Sequence, residues 1–113
     1  MVGRKDAADS ETVNSRLIVA PQAEADLRES FVWYEERTAG LGHAFVESVE
    51  RKFGTISGSP QIFRRRMGPY RLAATERFPY AIYFIWDEAR DLITIRRILH
   101  FKRDRRPSLG VPP

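Results

Sequence analysis

At 113 residues the chain has room for one hydrophobic core, since chains divide into separate domains only at about twice that length. A 42% apolar fraction with seven Phe, four Tyr and two Trp excludes global disorder, and the absence of cysteine removes disulfides, thiolate zinc sites and thiol catalysis, which suits a reducing, cytoplasmic setting. The net charge of +4 is unevenly spread: through Ser57 there are seven Lys/Arg against ten Asp/Glu, a net of −3, and from Gly58 onward twelve against five, a net of +7.

Residues 1–14 mix charges with small polar residues and lack the apolar segment of a signal peptide, so they are expected to form a frayed tail. No later stretch approaches the roughly 20 apolar residues that span a bilayer, so no membrane partner is expected. Arg16-Leu17-Ile18-Val19 reads as a first strand, ended by Ala20-Pro21, with Pro21 in the first turn of a helix running to about Thr38. On that helix Ala23, Leu27, Phe31 and Tyr34 recur at helical spacing and form the apolar stripe, with Val32 and Trp33 on its flanks. Ala39-Gly40-Leu41-Gly42 breaks the helix, and a second begins whose stripe is Leu41, Phe45, Val49, Phe53 and Ile56, ending near Gly58-Ser59-Pro60. The short connection predicts an antiparallel helical hairpin, with His43 opposite the stripe as an exposed helix residue.

From Pro69 the period changes to two. Tyr70 to Thr75, Tyr80 to Trp86 and Leu92 to Phe101 read as three antiparallel strands, with Asp87-Glu88-Ala89-Arg90-Asp91 as the last hairpin turn. Alternation places Ile93, Ile95, Leu99 and Phe101 on one face of the last strand, and puts His100 and Arg97 on opposite faces unless a bulge intervenes. The fold class is therefore α+β: a strand, a helical hairpin and a three-stranded antiparallel meander, with the helices covering one face of the sheet. A single domain is expected over 15–106, with 107–113 a flexible C-terminal tail. No cofactor is expected, and no metal site either, because the two histidines, His43 and His100, lie on different elements without a carboxylate at ligand spacing.

Arg64, Arg65, Arg66, Arg71, Arg96, Lys102, Arg103, Arg105 and Arg106, with Trp33 as an aromatic flank, mark the surface expected to receive an anionic partner, either an acidic protein segment or nucleic acid.

The order of elements and the motifs Trp33-Tyr34-Glu35, Gly40-Leu41-Gly42, Phe45, Val49-Glu50, Ser59-Pro60 with Phe63, Arg71, Arg77-Phe78-Pro79-Tyr80 with Ile82 and Tyr83, and His100 followed by Arg103-Asp104 resemble the RelE/ParE toxins of type II toxin-antitoxin modules, also called plasmid-stabilisation proteins. The likeness runs from Arg16 to Arg106. It implies a cognate antitoxin that wraps the toxin in a hetero-oligomer, and a target that is either DNA gyrase, stalled by binding alone, or the ribosome with its mRNA, which RelE-like members cleave as endoribonucleases. A toxin-fold binding module without toxicity is a third reading.

Metal-free RNA cleavage needs a base to activate the ribose 2′-hydroxyl, an acid for the leaving oxygen and fixed cations. The candidates are His100, Tyr83, Arg71 and Arg103. Phe101 stands where some RelE-like nucleases carry a tyrosine after the histidine, and after Lys52 the only lysine is Lys102, so the lysine-rich surface of RelE members is missing. These departures favour the ParE-like, non-enzymatic reading.

Overall fold

The physical origin of the first turn is the Ala20-Pro21 step. Ala20 is extended (φ −65°, ψ 152°) and Pro21 occupies the start of helix α1 (Pro21–Arg37), where a missing N–H costs nothing. The computed structural model describes residues 15–103, and the expected tails 1–14 and 107–113 lie outside them, as do Asp104, Arg105 and Arg106. Ahead of α1 comes strand β1 (Arg16–Val19). After it, Gly40 adopts φ 90°, a left-handed conformation that glycine reaches without a Cβ clash, and starts α2 (Leu41–Gly58). Strands β2 (Arg65–Met67), β3 (Tyr70–Ala74), β4 (Tyr80–Asp87) and β5 (Leu92–His100) complete the chain.

The five strands form one sheet in the order β1-β5-β4-β3-β2, antiparallel except for β1, which runs parallel to β5 with Arg16 opposite Leu92 and Val19 opposite Ile95. The α+β class and the helical hairpin stand as read from the sequence. The meander has one strand more than the three expected, because Arg65–Met67 pairs with β3 at the sheet edge. Its three residues are all exposed, so no alternation of apolar and polar residues announced it.

Both helices pack on one sheet face. Tyr34, Phe45, Val49 and Ile56 from the helices meet Tyr80, Ile82, Phe84, Ile93, Ile95 and Ile98 from the sheet, with Leu27 and Phe53 partly buried against them. Phe31 joins the hairpin rather than the sheet: its ring meets the exposed His43 edge-on at 5.0 Å. Gly42 is needed where the helices touch, since a Cβ there would lie 2.6 Å from the Phe31 carbonyl oxygen. Leu99, expected to share a face with Ile93 and Ile95, lies instead in a second cluster with Tyr70, Ala81 and Tyr83 on the opposite face. The reason is a β-bulge: Tyr83 pairs with Arg97 and Phe84 with Ile95, leaving Arg96 as an extra residue that reverses the alternation after it. Phe101, expected to share that face, is 46% exposed.

Glu35 closes the helical hairpin, its two carboxylate oxygens accepting the Gly40 and Gly42 backbone N–H groups at 2.7 and 2.8 Å. The Gly40 N–H, helped by that of Gly42, holds this carboxyl below its ordinary value of 4.5. A folded-state pKa below the unfolded one contributes stability that is present above pH 4.5 and is lost as pH falls through the folded value. Urea unfolding from about pH 6 to about pH 3 should therefore show an acid loss of stability that Glu35→Gln reduces. An unchanged acid limb in that variant would show that the hairpin closure does not depend on the ionised carboxylate.

Candidate functional site

The motifs that are far apart in sequence converge where the end of α1, the entry to β4 and the end of β5 meet. The entry is set by a tight turn: Thr75 donates its hydroxyl to the Phe78 carbonyl at 2.7 Å and its N–H to the Tyr80 carbonyl at 3.0 Å. Pro79 sits at that entry, where its missing N–H is tolerated, and Tyr80 is buried opposite His100. The Tyr80 ring lies 4.7 Å from Phe45 and 5.2 Å from His100, and Tyr34 stands 5.1 Å from Phe78 and 5.4 Å from Phe45. These edge-on and tilted geometries suit aromatic quadrupoles.

Arg103 joins the cluster from the chain segment after β5. Its guanidinium donates to the Tyr80 hydroxyl and lies 4.8 Å from the Trp33 ring centroid, while Arg37 covers the same indole at 3.4 Å. Trp33 is thus partly buried between two cations. His100 fixes the turn that brings Arg103 back: its Nδ1 accepts the backbone N–H groups of Lys102 at 2.9 Å and Arg103 at 3.0 Å, which leaves Nε2 to carry the ring proton in the neutral form. Burial pushes the Tyr34 phenol up to about 12, with Tyr80 adding to the rise and the Arg103 cation opposing it. Tyr34 therefore stays protonated near neutral pH and serves as a hydrogen-bonding group.

A groove of about 240 Å³ opens beside this cluster, lined by Asp26, Glu29, Ser30, Trp33, Arg97, Ile98, Leu99 and Arg103. It exists because β1 pairs with β5 only as far as Ile95, after which α1 carries the chain away. Asp26 occupies the edge left behind, accepting Arg97 Nε at 2.7 Å, Arg97 Nη2 at 3.1 Å and the Ile98 N–H at 2.9 Å. Sequence reading missed Asp26. Its signal was the position one turn before Ser30 and two turns before Trp33 on a single helix face.

The four nuclease candidates are not brought together. His100 and Arg103 meet around Tyr80, but Tyr83 is buried in the cluster on the other sheet face, its phenol pushed up by that burial. Arg71, opposite Phe84 rather than near Tyr80, is buried: it donates to the Phe63 carbonyl at 2.7 Å, pairs with Glu88 at 3.5 Å and lies 5.3 Å from the Trp86 ring. Nor do the basic residues form one surface. Arg64, Arg65 and Arg66 lie at the β2 edge, two intervening strands away from β5, and Arg96 lines a separate groove with Pro69 and Ile85, whereas Lys102 and Arg103 follow the end of β5. Among the described residues no three His, Asp or Glu side chains cluster as metal ligands.

The family model of the ParE toxin of the parDE type II toxin-antitoxin system matches residues 17–105. The chain belongs to the ParE toxin family. No curated protein sequence matches it. Among solved structures the toxin is similar to a chain of the chromosomal ParDE system from P. aeruginosa, at 18% identity and a TM-score of 0.67, over 76% of this chain and 95% of that one. It is also similar to a chain of the RelBE2 toxin-antitoxin complex from Mycobacterium tuberculosis, at 21% identity and a TM-score of 0.53, over 78% of this chain and 99% of that one. At these identities the likeness is one of fold. No helix among the described residues of the toxin is long and apolar enough to cross a membrane.

Proposed function

We propose that this toxin acts in the ParE manner, by binding DNA gyrase in the cytoplasm and stalling it without RNA chemistry, and that a cognate antitoxin neutralises it by lying in the groove between α1 and the end of β5. The observation that carries the reading is the separation of the groups a metal-free nuclease needs. Tyr83 faces away from His100, Arg71 is held by Glu88 and the Phe63 carbonyl, and His100 commits its Nδ1 to two backbone N–H groups. A base, an acid and cations facing one phosphate are the minimum for such cleavage.

The groove supports the antitoxin part of the reading. It is lined by Trp33, the end of β5, Arg97 and Arg103, and an extended segment that folds on binding would take over the contacts that Asp26 makes with Arg97 and the Ile98 N–H. The similar ParDE and RelBE2 structures are of toxin-antitoxin systems, which points to the same kind of partner here.

Tightly controlled expression in cells lacking the antitoxin tests the mode of action. DNA-damage signalling is expected before any fall in protein synthesis. Translation arrest as the first event would support the ribosome-dependent nuclease instead.

A further inference from the structure

The turn that leads into β4 contains Arg77 at φ 75°. Glycine takes up such a conformation freely, whereas a residue with a Cβ is strained there, so the fold itself gives no reason for a long charged side chain at this position. The turn is fixed by the Thr75 hydrogen bonds and by the Tyr80 N–H donating to the Phe78 carbonyl at 2.8 Å. Arg77 is exposed, its guanidinium 5.3 Å from the Phe78 ring centroid.

The same end of the sheet carries Phe101 and Lys102. The Phe101 N–H donates to the Pro79 carbonyl at 2.8 Å, which fixes the segment after β5 beside the turn. Phe101 is 46% exposed, and Pro79 and Lys102 are exposed as well. The neighbouring Glu76 carboxylate is spent on Lys52 of α2, at 3.4 Å, and among the described residues neither Arg77 nor Lys102 has an acidic partner. An exposed aromatic ring at the same end of the sheet as two cations without an acidic partner among the described residues has the composition of an interface anchor.

We propose that Arg77, Phe101 and Lys102 form the surface with which the toxin grips its target, and that the target presents an acidic protein surface with a recess for the Phe101 ring. The proposal rests on the gyrase-binding reading and names the part of the chain that performs it. A protein partner is favoured over single-stranded nucleic acid because the end carries one exposed ring, whereas strand binding stacks successive bases on several aromatics along a basic groove. The strained turn then exchanges some folding stability for a preorganised arginine.

Arg77→Gly and Phe101→Asp test this, with Arg28→Glu on α1 as the control. Arg77→Gly should raise the urea midpoint, by removing the strain, while weakening gyrase inhibition and growth arrest about tenfold; Phe101→Asp should weaken both at least as much, and Arg28→Glu should leave them unchanged. Growth arrest as strong in both variants as in the parent chain would overturn the proposal, whatever the target. A lower urea midpoint for Arg77→Gly would assign Arg77 to the fold and overturn its role here. Binding of single-stranded RNA by the parent chain that both variants lose would replace the protein partner by nucleic acid. A parent chain that arrests growth but spares gyrase would sink the gyrase reading alone, and the growth arms would still decide the surface.

Discussion

Replacing Phe45 by Ala is expected to cost about 3–5 kcal/mol of stability, in the range of large aromatic truncations in well-packed cores. Phe45 has no exposed surface and touches three rings, Tyr34 at 5.4 Å, Phe78 at 5.4 Å and Tyr80 at 4.7 Å, which belong to α1, the turn before β4 and β4 itself. The cavity cannot close by moving one side chain, because each ring is held by another element, so the transfer and cavity terms both count. Urea unfolding of the purified variant measures the loss. A cost under about 1 kcal/mol would mean that the helical hairpin does not pack on the sheet through this residue.

The second large effect is expected at Asp26. Its carboxylate is mostly buried, with side-chain exposures of 12% for Asp26 and 19% for Arg97, and it serves both Arg97 and the Ile98 N–H. Asp26→Ala leaves a part-buried guanidinium and a strand-edge N–H without this acceptor, at about 2–3 kcal/mol, near the lower end of the scale for breaking one side of a buried pair. Asp26→Asn, which keeps an acceptor for the N–H, should lose less. Replacing both residues, Asp26→Ala with Arg97→Met, should cost less than the sum of the two single changes, because the two side chains share one interaction that either single change already removes. Strict additivity in that double-mutant cycle would show that the pair is not coupled.

The contrast between these two residues explains how far the sequence could be read. Phe45 was legible because it lies on a stripe that repeats at helical spacing, a local pattern set by one hydrophobic face. The apolar run from Tyr80 to Trp86 likewise announced a strand buried on both faces. Asp26 was not legible, since its partners Arg97 and Ile98 lie more than seventy residues away and only the strand edge left open after Ile95 gives the carboxylate its task. Arg71 was misplaced on the surface for the same kind of reason: a lone arginine reads as solvated until Glu88 and the Phe63 carbonyl are folded against it. The face of Leu99 depended on a one-residue bulge at Arg96, and period-two reasoning assigns every residue beyond such a bulge to the wrong side.

The site divides in the same way. Trp33, Tyr34, Tyr80, His100 and Arg103 stood in the motifs that carry the family likeness, and the fold brings them into one cluster. What the motifs did not convey is the chemistry of the cluster. His100 serves as a backbone acceptor that returns Arg103 to Tyr80 and Trp33, a positioning task that requires no proton transfer.

The most direct test of this account is to add the purified toxin to DNA gyrase with relaxed plasmid and, in parallel, to ribosomes engaged on an mRNA. Loss of supercoiling that an excess of the cognate antitoxin restores, with the mRNA left intact, is the expected result. Ribosome-dependent mRNA cleavage that disappears in His100→Ala, with supercoiling unaffected, would contradict it.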